Sequence, residues 1–84
     1  MLTGGVWAEI KIGDEHLRLF SENNAQGVQA SVYNVVRKTW VAPAEEVDDI
    51  ELGKEWAIDV AAKYLNEAGH SEWPPVIWKE ARSR

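Results

Sequence analysis

The chain contains no cysteine, so it offers neither a disulfide framework nor a thiolate metal site. No apolar run approaches the length needed to cross a bilayer. The first six residues lack a basic segment followed by an apolar run, so we expect no secretion signal. Apolar residues make up 45% of the chain, which is enough for a packed core. These features predict one cytoplasmic domain over residues 1–84.

The residue patterns of common active sites are also missing. His16 and His70 are the only histidines, and their separation is not a ligand spacing. The serines lie in no familiar nucleophile motif, and no glycine-rich phosphate loop is present. The acidic residues of 45–49 lack the alternation of a calcium loop, so we interpret them as a solvated approach to a helix. We therefore predict a non-enzymatic protein without catalytic residues, metal ligands or a cofactor.

One long segment, residues 48–68, has the periodicity of an amphipathic helix. Asp48 is suited to cap its amino terminus, and Glu51 stands at the position that completes a capping box. Gly69 is the expected carboxy-terminal stop, and two prolines follow a few residues later. The predicted buried stripe has small residues at its centre, Gly53, Ala57 and Ala61, flanked by larger ones. Gly53 is therefore expected to have a packing reason.

Two segments before the helix alternate between apolar and polar residues and predict a β-hairpin. They cover residues 6–12 and 16–21, and Gly13-Asp14 supplies a two-residue turn between them. That turn predicts four cross-strand pairs: Ile10 with Leu17, Ala8 with Leu19, Glu9 with Arg18, and Trp7 with Phe20.

Two further strands are predicted after this hairpin. A polar loop over 22–27 leads to a third strand over 28–34, and a loop over 35–38 leads to a fourth over 39–42. If the second loop has four residues, Val32 pairs with Val41 and Tyr33 with Trp40.

The predicted fold is therefore α+β: a four-stranded antiparallel meander over residues 6–42, one amphipathic helix packed on one face, and an extended tail over 70–84. The tail contains Trp73, Trp78 and two prolines, and is expected to fold back across the sheet or along its edge. The helix is expected on the charge-free aliphatic face, rather than on the opposite face. The aliphatic face comprises Ala8, Ile10, Leu17, Leu19, Val28, Ala30, Val32 and Val41.

The opposite face, which we call the aromatic face, is the main functional candidate in the sequence. It carries the rings of Trp7, Phe20, Tyr33 and Trp40, with Arg18 and Lys11 among them. Two interpretations stay open. The tail covers these rings, as is usual for tryptophans in a small domain, or the rings meet another molecule.

Charge is distributed unevenly along the chain, whose net charge is −5. Residues 1–44 are neutral, with four acidic and four basic residues. Residues 45–72 carry nine acidic residues against two basic ones, a net −7, and residues 73–84 carry a net +2. An acidic helix surface disfavours polyanionic partners.

Three functional hypotheses follow, of which the third, a small enzyme, is disfavoured because no acid–base pair or nucleophile is visible. The first is a small interaction module whose aromatic face or strand edge meets a protein partner or a second copy of the chain. The second is a single-stranded nucleic-acid or DNA-binding domain that stacks bases on the same face. No membrane partner is expected.

Residues 6–68 also resemble the arm-type DNA-binding domains of tyrosine recombinases. The resemblance rests on the strand motif Trp7-x-Glu9-x-Lys11 and on the Ala-rich helix that closes the predicted meander. It implies a sheet that contacts DNA. Those domains present a basic sheet, whereas this chain has a neutral sheet and an acidic helix.

Overall fold

An antiparallel sheet and one helix make up an α+β fold in the computed structural model, which describes residues 4–82. The sheet order is β4-β3-β2-β1-β6, and β5 also pairs with β3. The elements are β1 (Gly4–Ile12), β2 (Glu15–Asn24), β3 (Gly27–Asn34), β4 (Thr39–Trp40), β5 (Glu45–Val47), α1 (Ile50–Glu67) and β6 (Lys79–Arg82).

The predicted β1–β2 hairpin is confirmed, including all four of its cross-strand pairs. Gly13 adopts the positive φ of 57° that its tight turn requires. The alternation along both strands thus assigns each side chain to the correct face of the sheet.

The predicted polar loop over 22–27 is wrong, because most of it belongs to strands. β2 continues to Asn24 and β3 begins at Gly27, which leaves a two-residue turn. The Gln26 amide donates to Asn24 Oδ1 at 2.8 Å within this turn. Ladder pairing with β3 therefore outweighs the low strand propensity of the asparagines.

The outer edge of β3 is paired by two short strands instead of one. The predicted Tyr33–Trp40 pair is confirmed, and the Val41 amide donates to the Val32 carbonyl at 2.9 Å. β4 itself ends at Trp40 rather than at Ala42. Pro43, which has no amide hydrogen, lies just before the unpredicted strand β5.

The helix begins two residues later than predicted. Asp49, not Asp48, is the N-cap, and its Oδ1 accepts from the Leu52 amide at 2.8 Å. Glu51 consequently does not form the predicted box; its carboxylate bonds Lys54 Nζ at 3.2 Å. Neighbouring aspartates are equally good caps, so sequence alone did not distinguish them.

The prediction that Gly69 stops helix α1 is confirmed by backbone hydrogen bonds just beyond the helix. The amide of Gly69 donates to the Asn66 carbonyl at 3.1 Å, and that of His70 to the Leu65 carbonyl at 2.9 Å. Gly69 has φ 98°. This is the Schellman pattern, which satisfies two carbonyls at the helix end.

Helix α1 lies on the aliphatic face, as expected. Gly53 allows the close approach, because a Cβ at this position would overlap the Ser21 hydroxyl. Ser21 donates to the Ile50 carbonyl at 2.8 Å. Two residues differ from the predicted stripe. Leu65, expected at its flank, is fully buried at its centre, and Ala68, expected within it, is exposed. The main core cluster is Ile10, Leu17, Leu19, Val32, Ala57, Ala61 and Leu65.

A short polar network joins the end of the helix to the sheet. The buried Asn34 Nδ2 donates to the Tyr64 hydroxyl at 2.9 Å, and that hydroxyl donates to Glu15 Oε1 at 3.0 Å. Burial, with a smaller contribution from the hydrogen bond to Glu15, raises the pKa of Tyr64 above its ordinary value. The network therefore holds the phenol in its neutral form.

The tail runs along the open edge of β1, where residues 79–82 pair with it as strand β6. The edge of the sheet was one of the two predicted paths for the tail. Trp73 and Trp78 pack against the core cluster rather than lying as free appendages. Lys54 Nζ lies 5.7 Å from the centre of the Trp78 ring. Residues 1–3 and 83–84, at the ends of the predicted domain and tail, lie outside the described residues.

Candidate interaction surface

Strand pairing arranges the four rings of the aromatic face in two neighbouring rows. Trp7 lies opposite Phe20 in one row. In the next row Tyr33 pairs with Arg18 on one side and with Trp40 on the other. The sequence-predicted candidates on β1 to β4 are therefore brought together, including Arg18.

Three of the rings contact one another. The Tyr33 and Trp40 ring centres are 4.8 Å apart with an interplanar angle of 67°, and those of Phe20 and Trp40 are 6.5 Å apart at 62°. These are edge-to-face arrangements, which aromatic pairs favour. Trp40 nevertheless stays 60% exposed, while Trp7, Phe20 and Tyr33 are half-buried. The cluster is thus ordered by ring contacts but still presents an indole to solvent.

An ion-pair cluster lies beside the rings. Glu9 Oε2 accepts from Arg18 Nε at 2.9 Å and from His16 Nε2 at 2.8 Å. The hydrogen bond from Arg18, followed by that from His16, lowers the pKa of Glu9 below its ordinary value. Glu9 therefore holds two neighbouring side chains in place across the hairpin.

The two ends of the aromatic face differ in charge. Lys11 pairs with His16 at the end near the β1–β2 turn, and Lys11 is exposed. Glu22 pairs with Gln29 at the opposite end, and both side chains are exposed. A basic and an acidic end therefore flank the central rings.

Within the described residues, the tail approaches this face from the side of β1. Lys79 Nζ lies 5.2 Å from the centre of the Trp7 ring, a cation–π distance. Pro74 and Pro75 border a groove with Glu9 and Lys11. The tryptophans of the tail pack toward the helix side, so they do not cover Trp40.

A groove of about 280 Å³ lies beside Trp40 at the outer edge of β3. Its floor and walls combine apolar and polar groups: Glu22, Gln29, Ser31, Trp40, Pro43 and Ala44. Sequence patterns did not indicate Pro43 and Ala44 as part of the candidate site. They reach it because the segment after β4 folds back along β3, a path that no sequence signal indicated.

His70 and Asp49, which were also considered for chemistry, lie apart from this face. The His70 ring lies over the β1–β2 turn, 3.2 Å from where a Cβ at Gly13 would stand. Asp49 serves as the helix cap, and Glu45 and Glu46 belong to β5. Within residues 4–82, no group of three or more histidines or acidic residues is arranged to hold a metal ion.

Comparison of the chain with protein-family models, curated proteins and solved structures found no match. Among the helices of the described part of the chain, none has the length and apolar character to cross a membrane.

Proposed function

We propose that the protein is a non-enzymatic interaction module whose aromatic face binds another protein surface. The observation that carries this proposal is the position of Trp40, which contacts Tyr33 and Phe20 yet is 60% exposed. An ordered indole next to a groove is the kind of anchor that dominates binding energy at protein interfaces.

The surroundings of the rings support a protein partner. Arg18 and His16 each bond Glu9, so the charged groups nearest the rings are already paired and would stay paired when an interface buries them. Lys11 and Glu22 lie at the two ends, where they resemble the polar rim around an apolar interface centre. The proposed setting is the cytoplasm, because the cysteine-free chain has no disulfide to form.

Site-specific photocrosslinking tests the proposal. A photoreactive residue that replaces Gln29, which is exposed at the groove, should crosslink to another protein molecule in cells that naturally make this protein. Trp40→Ala should remove that adduct, because the anchor is lost. A matched probe at Glu55, exposed on the outer side of α1, should form none. Equal adducts from both positions, or an adduct that survives Trp40→Ala, would contradict the proposal.

The alternative of nucleic-acid binding predicts a different adduct from the same probe. Bases can stack on exposed rings, and Arg18, Lys11 and Lys79 lie near them. However, the face carries as many acidic residues as basic ones, Glu9, Glu22 and Glu46 against Lys11, Arg18 and Lys79, so backbone phosphates gain little. A nuclease-sensitive adduct at Gln29, with tryptophan fluorescence that responds to a mixed single-stranded oligonucleotide at low salt, would favour the alternative.

A further inference from the structure

We infer that the occupant of the aromatic face is a second copy of this chain, packed sheet against sheet with the strands of one copy reversed end to end over the other. This inference rests on the proposed function and specifies its partner. The two-fold axis would lie in the interface and run across the strands, between the Trp7–Phe20 row and the Tyr33–Trp40 row. The result is a four-layer arrangement with a helix on each outer side.

The charge pattern of the face supports this reversed orientation. Lys11 stands at one end of the face and Glu22 at the other, as the strand register places them. A two-fold axis across the strands brings the Glu22 end of each copy over the partner's Lys11 end. An axis along the strands would instead stack like charges on each other, which is unfavourable.

The shape of the face supports the same orientation. Trp40 protrudes from one row, and the groove lined by Ser31, Pro43 and Ala44 lies beside it toward the Glu22 end. Reversal across the axis carries Trp40 of each copy over the partner's groove. The same anchor and the same groove are then used twice, as a two-fold interface requires.

The acidic charge on the helix side disfavours stacking two copies through their helices instead. The outward charges of the face balance, with three acidic residues against three basic ones: Glu9, Glu22 and Glu46 against Lys11, Arg18 and Lys79. Helix α1 carries four acidic residues and two basic ones, a net −2, in addition to the acidic residues 45–49 before it. Joining the neutral faces directs both acidic surfaces away from the interface.

The size of the face limits the affinity. Five strands side by side at about 4.8 Å spacing place the outer strand axes of the sheet only about 19 Å apart. Such a contact is smaller than a standard protein interface. We therefore expect a dimer that dissociates on dilution, with a dissociation constant on the order of micromolar.

Charge reversal tests the orientation by sedimentation velocity of purified protein over a range of concentrations. Lys11→Glu and Glu22→Lys should each weaken self-association roughly tenfold, because each creates two like-charge contacts per dimer. An equimolar mixture of the two variants should restore association, since both contacts in the mixed dimer are again between opposite charges. The matched controls Lys63→Glu and Glu55→Lys, on the exposed surface of α1, should leave association unchanged.

Thermal unfolding of each variant keeps the result interpretable, because the two positions are exposed and the variants should remain folded. A strictly monomeric wild type at millimolar concentration would overturn the inference. A dimer that ignores both charge reversals, or a mixture that fails to reassociate, would overturn it as well. If the wild type is monomeric while Gln29 still crosslinks to a different protein in a Trp40-dependent way, the proposed function stands and only the second copy is rejected.

Discussion

The two faces of the sheet are built from alternate residues of the same strands, yet they are buried to very different extents. On the helix side Leu17, Leu19 and Val32 are fully buried. On the opposite side one of the two tryptophans, Trp40, is 60% exposed. In this sheet, therefore, the extent of burial does not follow side-chain size.

The small residues of α1 explain why the fully buried centre of the aliphatic side contains no aromatic rings. Gly53, Ala57 and Ala61 bring the helix backbone close to the sheet, so leucine and valine fill the space between them. Four aromatic rings on the other side are therefore surplus to that core. This surplus is the physical basis for regarding the aromatic face as a binding surface.

Breaking the helix side should have the largest effect. Leu19→Ala removes a fully buried side chain from the centre of the core. We expect the free energy of unfolding to fall by about 2–5 kcal/mol, measured by urea denaturation. Leu52→Ala, at a helix residue that is 43% exposed, is the control and should cost far less. Similar losses at both positions would contradict the assigned core.

Gly53→Ala tests whether glycine at this position allows helix α1 to approach strand β2 closely. Alanine favours a helix over glycine by about 1 kcal/mol, but its Cβ would overlap the Ser21 hydroxyl. We expect a net destabilisation of about 1–3 kcal/mol in chemical denaturation. In a double-mutant cycle, Ser21→Ala should recover part of this loss, because the hydroxyl is the nearest atom. A stabilised Gly53→Ala variant would show that the helix lies farther from β2.

Tyr64→Phe tests the polar network on the helix side. The substitution removes the hydroxyl that accepts from the buried Asn34 amide. We therefore expect the free energy of unfolding to fall by about 1–3 kcal/mol. The pKa of Tyr64 is raised in the folded protein, so its contribution is present below the ordinary value near 10 and is lost as pH rises through the higher folded value. The difference in unfolding free energy between wild type and variant should therefore shrink above pH about 10. A difference that does not change with alkaline pH would reject this assignment.

The same kind of truncation on the aromatic face should be tolerated by the fold. Trp40→Ala removes an exposed ring and its contacts with Tyr33 and Phe20. We expect a loss of roughly 1 kcal/mol in unfolding free energy, the scale of such ring contacts. Far larger destabilisation would mean that Trp40 belongs to the core, and the contrast between the faces would disappear.

The smallest expected effect concerns the ion-pair cluster. Glu9→Gln should cost about 0.5 kcal/mol at neutral pH, because the pair with Arg18 is partly exposed. The lowered pKa of Glu9 means that its contribution is present above the ordinary carboxyl value and is lost as pH falls through the folded value. Wild type and variant should therefore converge in unfolding free energy in acid. The pKa itself can be measured by NMR titration of the Glu9 carboxyl.

Sequence alternation predicted which side chains share a face, and the reason is local. The Gly13-Asp14 turn determines the β1–β2 register, and period-two alternation then places Trp7 and Phe20 together. The helix was predictable because its periodicity and its stop at Gly69 agree. The contact of Glu9 with His16 was missed, although the same register makes these residues diagonal neighbours.

Non-local pairing accounts for most of what sequence analysis missed. Strand β5 contains Glu45 and Glu46, which have low strand propensity, and it forms only because β3 offers an open edge. The position of Lys79 over Trp7 likewise depends on where the tail returns. The groove beside Trp40 follows from the path of Pro43 and Ala44. Each of these features depends on a distant segment, which local patterns do not encode.

The pairing of β6 with β1 has a consequence for how the protein folds. Val6 and Glu80 are partners although 74 positions separate them (80 − 6), so nearly the whole chain must be closed into a loop before this ladder gains any bond. The last strand of this sheet in chain order is thus the neighbour of the first. We expect β6 to pair with β1 late in folding, because the β1–β2 hairpin must form before its edge can be paired.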